Sequence, residues 1–331
     1  MLEPPHLSTE RLAACLNREY GLTVASITFL PLGADVDTAV YRIETDDGAL
    51  LFLKLRRSFE PASVIVPHLL AGQGAQNIIA PLTTRAGELF VEFEGFTVLL
   101  APFVEGVSGW DTHLSPEQWR ALGFGLKALH SMGVPESLRA IVPRESFDAT
   151  ARLFVQQLLE EKVACRGGDA IAAELVGIVR EKRDVIALIL RQAQELGTQL
   201  LQQPPAYCLC HADIHAGNVL LCEGKLFIVD WDTLILAPPE RDLMFIGGGI
   251  GGCWNQPQEL QWFEEGYGAY ESNTIALAYY RCERIVQDIA EFAQALLVDE
   301  HSEADRREML KQFASQFDEG NVVKIALATA E

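Results

Sequence analysis

The run His211-Ala212-Asp213-Ile214-His215-Ala216-Gly217-Asn218 holds side chains that phosphoryl transfer needs close together. The carboxylate at 213 can accept a hydroxyl proton. The amide oxygen of Asn218 and the carboxylate of Asp230, twelve residues further on, are hard oxygen donors of the kind that hold Mg²⁺. Residues 219–222 and 226–229 are apolar, and Glu223-Gly224 reads as a turn, so an antiparallel hairpin is predicted between them. Paired strands lie about 5 Å apart, so the hairpin returns Asp230 to the side of Asn218. Gly217 keeps the preceding segment irregular and lets Asp213 lie across from both.

The order H-x-D-x-x-x-x-N, followed by a metal-holding Asp, is that of a kinase catalytic loop. Here the later Asp stands in Val229-Asp230-Trp231-Asp232, not in a D-F-G tripeptide. Such chemistry also needs a phosphate lysine on an earlier strand. Lys54, inside Leu51-Phe52-Leu53-Lys54-Leu55, is the candidate. Its usual partner is a glutamate on the next helix, and Glu60 is the only acid between Lys54 and Gly87. The loop covering the phosphates is expected at residues 32–38, where Gly33 is the single glycine and two aspartates would repel phosphate if they pointed inward. The strand at 96–101 entering Pro102-Phe103-Val104 would offer backbone groups to adenine near Phe103.

The elements that must position these groups fall into two kinds. A helix over 8–20, closed by Gly21, precedes strands at 22–31, 38–45 and 49–56, the last two joined at Asp46-Asp47-Gly48. A helix over 62–73, weakened by Pro67, and strands at 88–93 and 95–101 complete this part. Beyond it, helical periodicity runs over 115–132, 147–164, 169–202, 257–271, 273–298 and 303–317, interrupted by the hairpin at 219–229. The expected fold is α+β and two-lobed. Residues 1–101 form an N-terminal nucleotide-binding lobe around a small antiparallel sheet, 102–106 a hinge, and 107–331 a larger, mostly helical lobe with the catalytic and acceptor-binding groups.

Composition bounds the reading. With 331 residues, 49% of them hydrophobic, the chain can bury one large core or two smaller ones. Its formal charge of −20 argues against nucleic acid and suits a cationic small molecule. The segment MLEPPHLSTE lacks the basic and apolar regions of a leader, and no apolar run reaches membrane length. Seven scattered cysteines without a CxxC pair fit a reduced compartment, so a cytoplasmic location is expected, with no membrane partner.

These residues together resemble the aminoglycoside phosphotransferase family, within the protein-kinase-like fold. Asp213-Ile-His-Ala-Gly-Asn218, Val229-Asp230-Trp231-Asp232, the run from Glu240 to Gly249, and Tyr279-Tyr280-Arg281 with Glu283-Arg284-Ile285-Val286 look particularly like the spectinomycin phosphotransferase branch. The resemblance implies ATP- and Mg²⁺-dependent phosphorylation of a hydroxyl on a small cationic acceptor, spectinomycin above others. It gives Asp213 as base, Asn218 and Asp230 as magnesium ligands, Lys54 as a phosphate contact, and Asp242 as an acid bracing the catalytic loop. Kinases of choline, homoserine, methylthioribose and fructosamine share these motifs and stand as alternatives.

An acceptor of this kind calls for carboxylates and flat aromatic faces, and Trp231, Asp232, Trp254 and Glu283 are the candidates by neighbourhood. Arg284 and Asp288 read instead as an i, i+4 pair on a helix face. Three readings from other classes compete. His211 and His215 could serve a metal-dependent hydrolase, but no H-x-H or HExxH pair supports them and they read as loop-packing residues. Gly247-Gly248-Gly249-Ile250-Gly251-Gly252 formally fits G-x-G-x-x-G, yet Cys253-Trp254-Asn255-Gln256-Pro257 follows where a helix should begin. A catalytically inert kinase-like binding protein would lack one of the key groups, and all are present.

Overall fold

The computed structural model describes residues 4–31, 37–163, 169–298, 302–318 and 321–330. The contacts divide the chain into two compact units, residues 1–142 with 217–234, and residues 143–216 with 235–331.

In the first unit, α1 (Thr9–Tyr20) starts at Ser8, whose hydroxyl accepts the Arg11 N–H, and ends at Gly21 in the left-handed conformation. Strands β1 (Val24–Leu30), β2 (Thr38–Thr45) and β3 (Leu50–Arg56) follow, then helix α2 (Ala62–Gly72), β4 (Val91–Phe93) and β5 (Phe96–Pro102). They form one antiparallel sheet in the order β1-β2-β3-β5-β4. Alternation decides the faces of β3. Leu51, Leu53 and Leu55 are buried with Leu12 and Leu16 of α1 and with Val98 and Leu100 of β5. Phe52, Lys54 and Arg56 therefore share the opposite face.

Helix α2 is continuous through Pro67. A proline there forfeits its N–H bond and crowds the carbonyl four residues back, at a cost of about 3 kcal/mol, while Val64, Val66 and Leu70 gain burial of about 1.5–3 kcal/mol each.

The sheet-bearing unit also holds residues 107–142 and the hairpin, which the sequence reading placed with the helical lobe. The strand Val107–Ser108 pairs with Val219–Cys222, and the helix Pro116–Ser131 packs on Lys225–Ile228. Gly106 permits this, because a Cβ there would come within 2.6 Å of Leu220.

Among its described residues the regular structure of the second unit is helical apart from two short strands, Cys208–Cys210 and Ile235–Ala237, which pair antiparallel. Three-residue apolar runs carry too little period to be foreseen. The predicted helix over 169–202 is two helices, Ala170–Glu181 and Arg183–Gln202, broken at Lys182 (φ −92°, ψ 9°). The long helix Thr274–Leu297 forms the axis of the core, burying Ile285, Val286 and Ile289 against Val155, Leu175 and Ile189. Two further helices, Glu303–Ser315 and Val322–Thr329, close it with Phe313 and Val323. No helix among the described residues is long and apolar enough to cross a membrane.

Candidate active site

The first unit presents a charged cluster on the open face of β3. The hairpin Val219–Cys222/Lys225–Ile228 closes as expected, and the Val229 N–H donates to the Asn218 carbonyl at 3.0 Å, so the chain returns beside Asn218 just before Asp230. Asp230 itself is left-handed (φ 61°, ψ 70°), a conformation costing a non-glycine residue about 1–3 kcal/mol. It opens a single 3-10 turn, Trp231–Thr233, that carries Asp232. The Lys54 ammonium lies 3.0 Å from Asp230 Oδ1 and 2.5 Å from Asp232 Oδ2, and Arg56 Nη1 lies 2.6 Å from Asp232 Oδ1. Burial alone would lower the Lys54 pKa; the two carboxylates outweigh it and raise it. The lysine partner sought at Glu60 is thus found on the aspartates, and Glu60 is exposed.

Phe103, just after β5, donates its N–H to the Leu50 carbonyl at 3.0 Å, and its ring lies under Arg42, 5.8 Å from the guanidinium carbon. Gly33 and the loop at 32–36 lie outside the described residues. Trp231 does not offer an open ring. It is 7% exposed and its indole N–H donates to the Ile228 carbonyl.

The second unit holds Asp213 on a braced loop. His211 and Ala212 donate their N–H groups to Asp242 Oδ2 and Oδ1, at 2.9 and 2.6 Å, and Asp242 is fully buried. This clamp fixes Ala212 at φ 69°, so the chain turns sharply before Asp213. His211 is fully buried too, and its Nδ1 accepts the Asp213 N–H at 3.4 Å. His215 Nε2 lies 3.4 Å from Asp213 Oδ2. His211 is thus a loop-packing residue, as expected, whereas His215 is partly exposed and engages the Asp213 carboxylate.

Asp213 is also engaged by a residue the sequence reading gave no part in the site. Arg284 Nη1 donates to Asp213 Oδ1 at 2.9 Å, its Nε donates to Asp288 Oδ1 at 2.8 Å, and its guanidinium lies over Phe245 at 5.7 Å. Burial pushes the Asp213 carboxyl up, but the hydrogen bond from His215 and the Arg284 charge outweigh it and hold the group well below the usual carboxylate range. Asp288 goes the other way: burial raises it to about 6 against the pull of Arg284.

Glu283 and Trp254 are placed away from solvent. Glu283 is 3% exposed and pairs with buried Arg152 at 2.6 Å; burial pushes it up to about 6 although Arg152 opposes the shift. It borders a cavity of about 150 Å³ shared with Glu145, Arg241, Tyr279 and Tyr280. Trp254 is 7% exposed. The glycine run before it is a series of left-handed turns at Gly247, Gly249, Gly251 and Gly252, and the next helix begins only at Pro257. Beyond the 3-10 turn Ile250–Gly252 no helix opens on the glycines themselves, so they do not form a dinucleotide cradle.

A lysine on the central sheet strand, held to a Val-Asp-Trp-Asp turn, and an H-x-D-x-x-x-x-N loop braced by a buried aspartate place the chain among the protein-kinase-like phosphotransferases. Residues 28–284 match the family described as "Phosphotransferase enzyme family" (APH), and the chain belongs to it. It is an enzyme, a phosphotransferase with an alcohol group as acceptor.

The spectinomycin phosphotransferase APH(9)-Ia, in a crystal structure with ADP and spectinomycin, is 34% identical with a TM-score of 0.91, covering 98% of this chain and 99% of that one. Protein StrN of Streptomyces griseus is 28% identical over 250 residues, 72% of this chain and 75% of StrN. An amicoumacin kinase, at 16% identity and a TM-score of 0.62 over 96% of this chain and 94% of its own, shares the fold.

Proposed function

We propose that this phosphotransferase moves the terminal phosphoryl group of ATP to a hydroxyl of spectinomycin or a closely related cationic acceptor, with antibiotic inactivation as the outcome. The observation that carries the acceptor is the likeness to the spectinomycin phosphotransferase along 98% of the chain at 34% identity. The roles follow from chemistry. Asp213, kept ionised by Arg284 and His215, accepts a hydrogen bond from the acceptor hydroxyl and aims its oxygen. Lys54 supplies charge to the phosphates, and adenine is assigned to the backbone near Phe103, whose own N–H is held by the Leu50 carbonyl.

The donor set of the hairpin fits magnesium. Asp230 offers a half-exposed carboxylate and Asn218 an amide oxygen at adjacent chain ends, and both are hard ligands. Bound there, the ion would neutralise charge on the transferring phosphate.

Purified protein with Mg-ATP and a panel of spectinomycin, other aminoglycosides, choline, homoserine and methylthioribose tests the acceptor. Phosphorylated spectinomycin is expected, and product on a metabolite alone would refute the antibiotic reading. Asp213→Ala should lower kcat by about 10²–10⁴-fold with ATP affinity retained. Near-normal turnover in that variant would remove Asp213 from its role.

A further inference from the structure

We propose that Asp232 is the positioning residue that anchors Lys54 for the nucleotide phosphates, in place of the helix glutamate that does so in protein kinases. The inference rests on the phosphotransferase reading and deepens its nucleotide side. Its ground is the first unit alone. Helix α2, the element after the lysine strand, reads ASVIVPHLLAG and offers no carboxylate. Glu60 ahead of it is exposed. Instead α2 packs on the 3-10 turn Trp231–Thr233, and that turn supplies the acid.

The two aspartates are not equivalent. Asp230 has half its side-chain surface open, at 50%, whereas Asp232 is 21% exposed and Lys54 only 17%. One oxygen of Asp232 meets Lys54 at 2.5 Å and the other meets Arg56 at 2.6 Å. Lys54 and Arg56 are two apart on β3 and so share a face, which lets one carboxylate bridge both. A carboxylate engaged on both oxygens by two cations is fixed in place. Two cations balance two carboxylates here. A divalent cation drawn to exposed Asp230 competes with Lys54 for that partner, and Asp232 remains to hold the ammonium. The order Lys54–Asp232–Arg56 then sets where the lysine charge sits when phosphates arrive. This use of Asp232 leaves no free oxygen on it for an acceptor.

The test is a double-mutant cycle on Mg-ADP affinity, measured by calorimetry on the full chain without acceptor. Lys54→Met and Asp232→Asn should each weaken Mg-ADP by about tenfold, the size of one lost charge-assisted hydrogen bond. Asp232→Asn in the Lys54→Met background should add less than about threefold, because its effect passes through the lysine. A full additional loss in that background would overturn the proposal and make Asp232 an independent ligand, as a metal donor would be. Unchanged affinity in the single Asp232→Asn variant would overturn it as well.

If Asp232→Asn does not fold, the wild-type protein decides, through the ammonium resonance of ¹⁵N-labelled Lys54 with Mg-ADP bound. Slow proton exchange is expected; fast exchange means that the anchor is lost once the metal site fills. Wild-type protein that binds no Mg-ADP would refute the phosphotransferase reading itself, a result distinct from either failure of the cycle.

Discussion

Asp213 owes its properties to one guanidinium and one imidazole. Its carboxyl lies below the ordinary range, so it is ionised throughout pH 5–8 and contributes no acid limb to activity there. The titratable groups beside it are Arg284 and His215, with Asp288 behind Arg284 and Glu291 acting on both Arg284 and Asp288. Removing the guanidinium leaves burial, which pushes the carboxyl up, opposed by the His215 hydrogen bond, so the group rises from its wild-type position. The expected outcome for Arg284→Gln is therefore an acid limb in kcat/KM that moves upward into the measured window, with Arg284→Lys restoring part of the wild-type profile. A pH-rate profile for the three proteins checks this, and identical profiles would detach Arg284 from the base. Residue type and spacing alone made Asp213, Asn218, Asp230 and Lys54 legible as candidates. Their partners were not legible. Arg284 lies 71 positions from Asp213, and Asp232 lies 178 from Lys54, distances over which spacing says nothing about contact. Glu60 was favoured by chain proximity, and the fold used an acid from another element. Trp231 and Trp254 were read as open aromatic faces, but large rings gain most from burial, and each is 7% exposed.

At the scale of elements, the loop before Asp213 depends on a short helix that arrives later in the chain. Glu240–Leu243 places Asp242 so that each of its oxygens takes one N–H, from His211 and from Ala212. Asparagine has the same shape but only one acceptor oxygen, so one buried N–H would face an amide donor. Asp242→Asn is expected to cost about 1–3 kcal/mol and to lower kcat more than it raises the KM for ATP. Urea unfolding with steady-state kinetics measures both, and a stable variant with unaltered kcat would show that Ala212 keeps φ 69° without the clamp. The resemblance had assigned Asp242 this bracing part, while spacing alone could not have. The sheet strands β1 to β5 were readable from alternation and from the Asp46-Asp47-Gly48 turn. The break at Lys182 was not, because apolar periodicity continues through it and only the backbone angles change. Pro67 misled for the opposite reason. Its local penalty is real, but burial of the surrounding valines and leucine exceeds it.

At the scale of the whole molecule, 46 acidic residues against 26 basic ones give a net charge of −20. Such a field acts with opposite sign on the two proposed substrates: it draws in a cationic acceptor and repels Mg-ATP, which is anionic. Salt screens both effects over a Debye length of about 10 Å at 0.1 M. Raising NaCl from about 20 to about 200 mM should lower kcat/KM for a cationic acceptor severalfold, and should raise it or leave it level for Mg-ATP. The contrast between the substrates carries the argument, because a salt effect on the fold would move both in one direction. Thermal melts across the same range separate that case. A neutral alcohol turned over by the same enzyme should show no fall, since the field gives it no advantage to lose. Parallel declines for acceptor and nucleotide, with unaltered melting, would mean that the acidic surface serves solubility and that contacts inside the site alone select the acceptor.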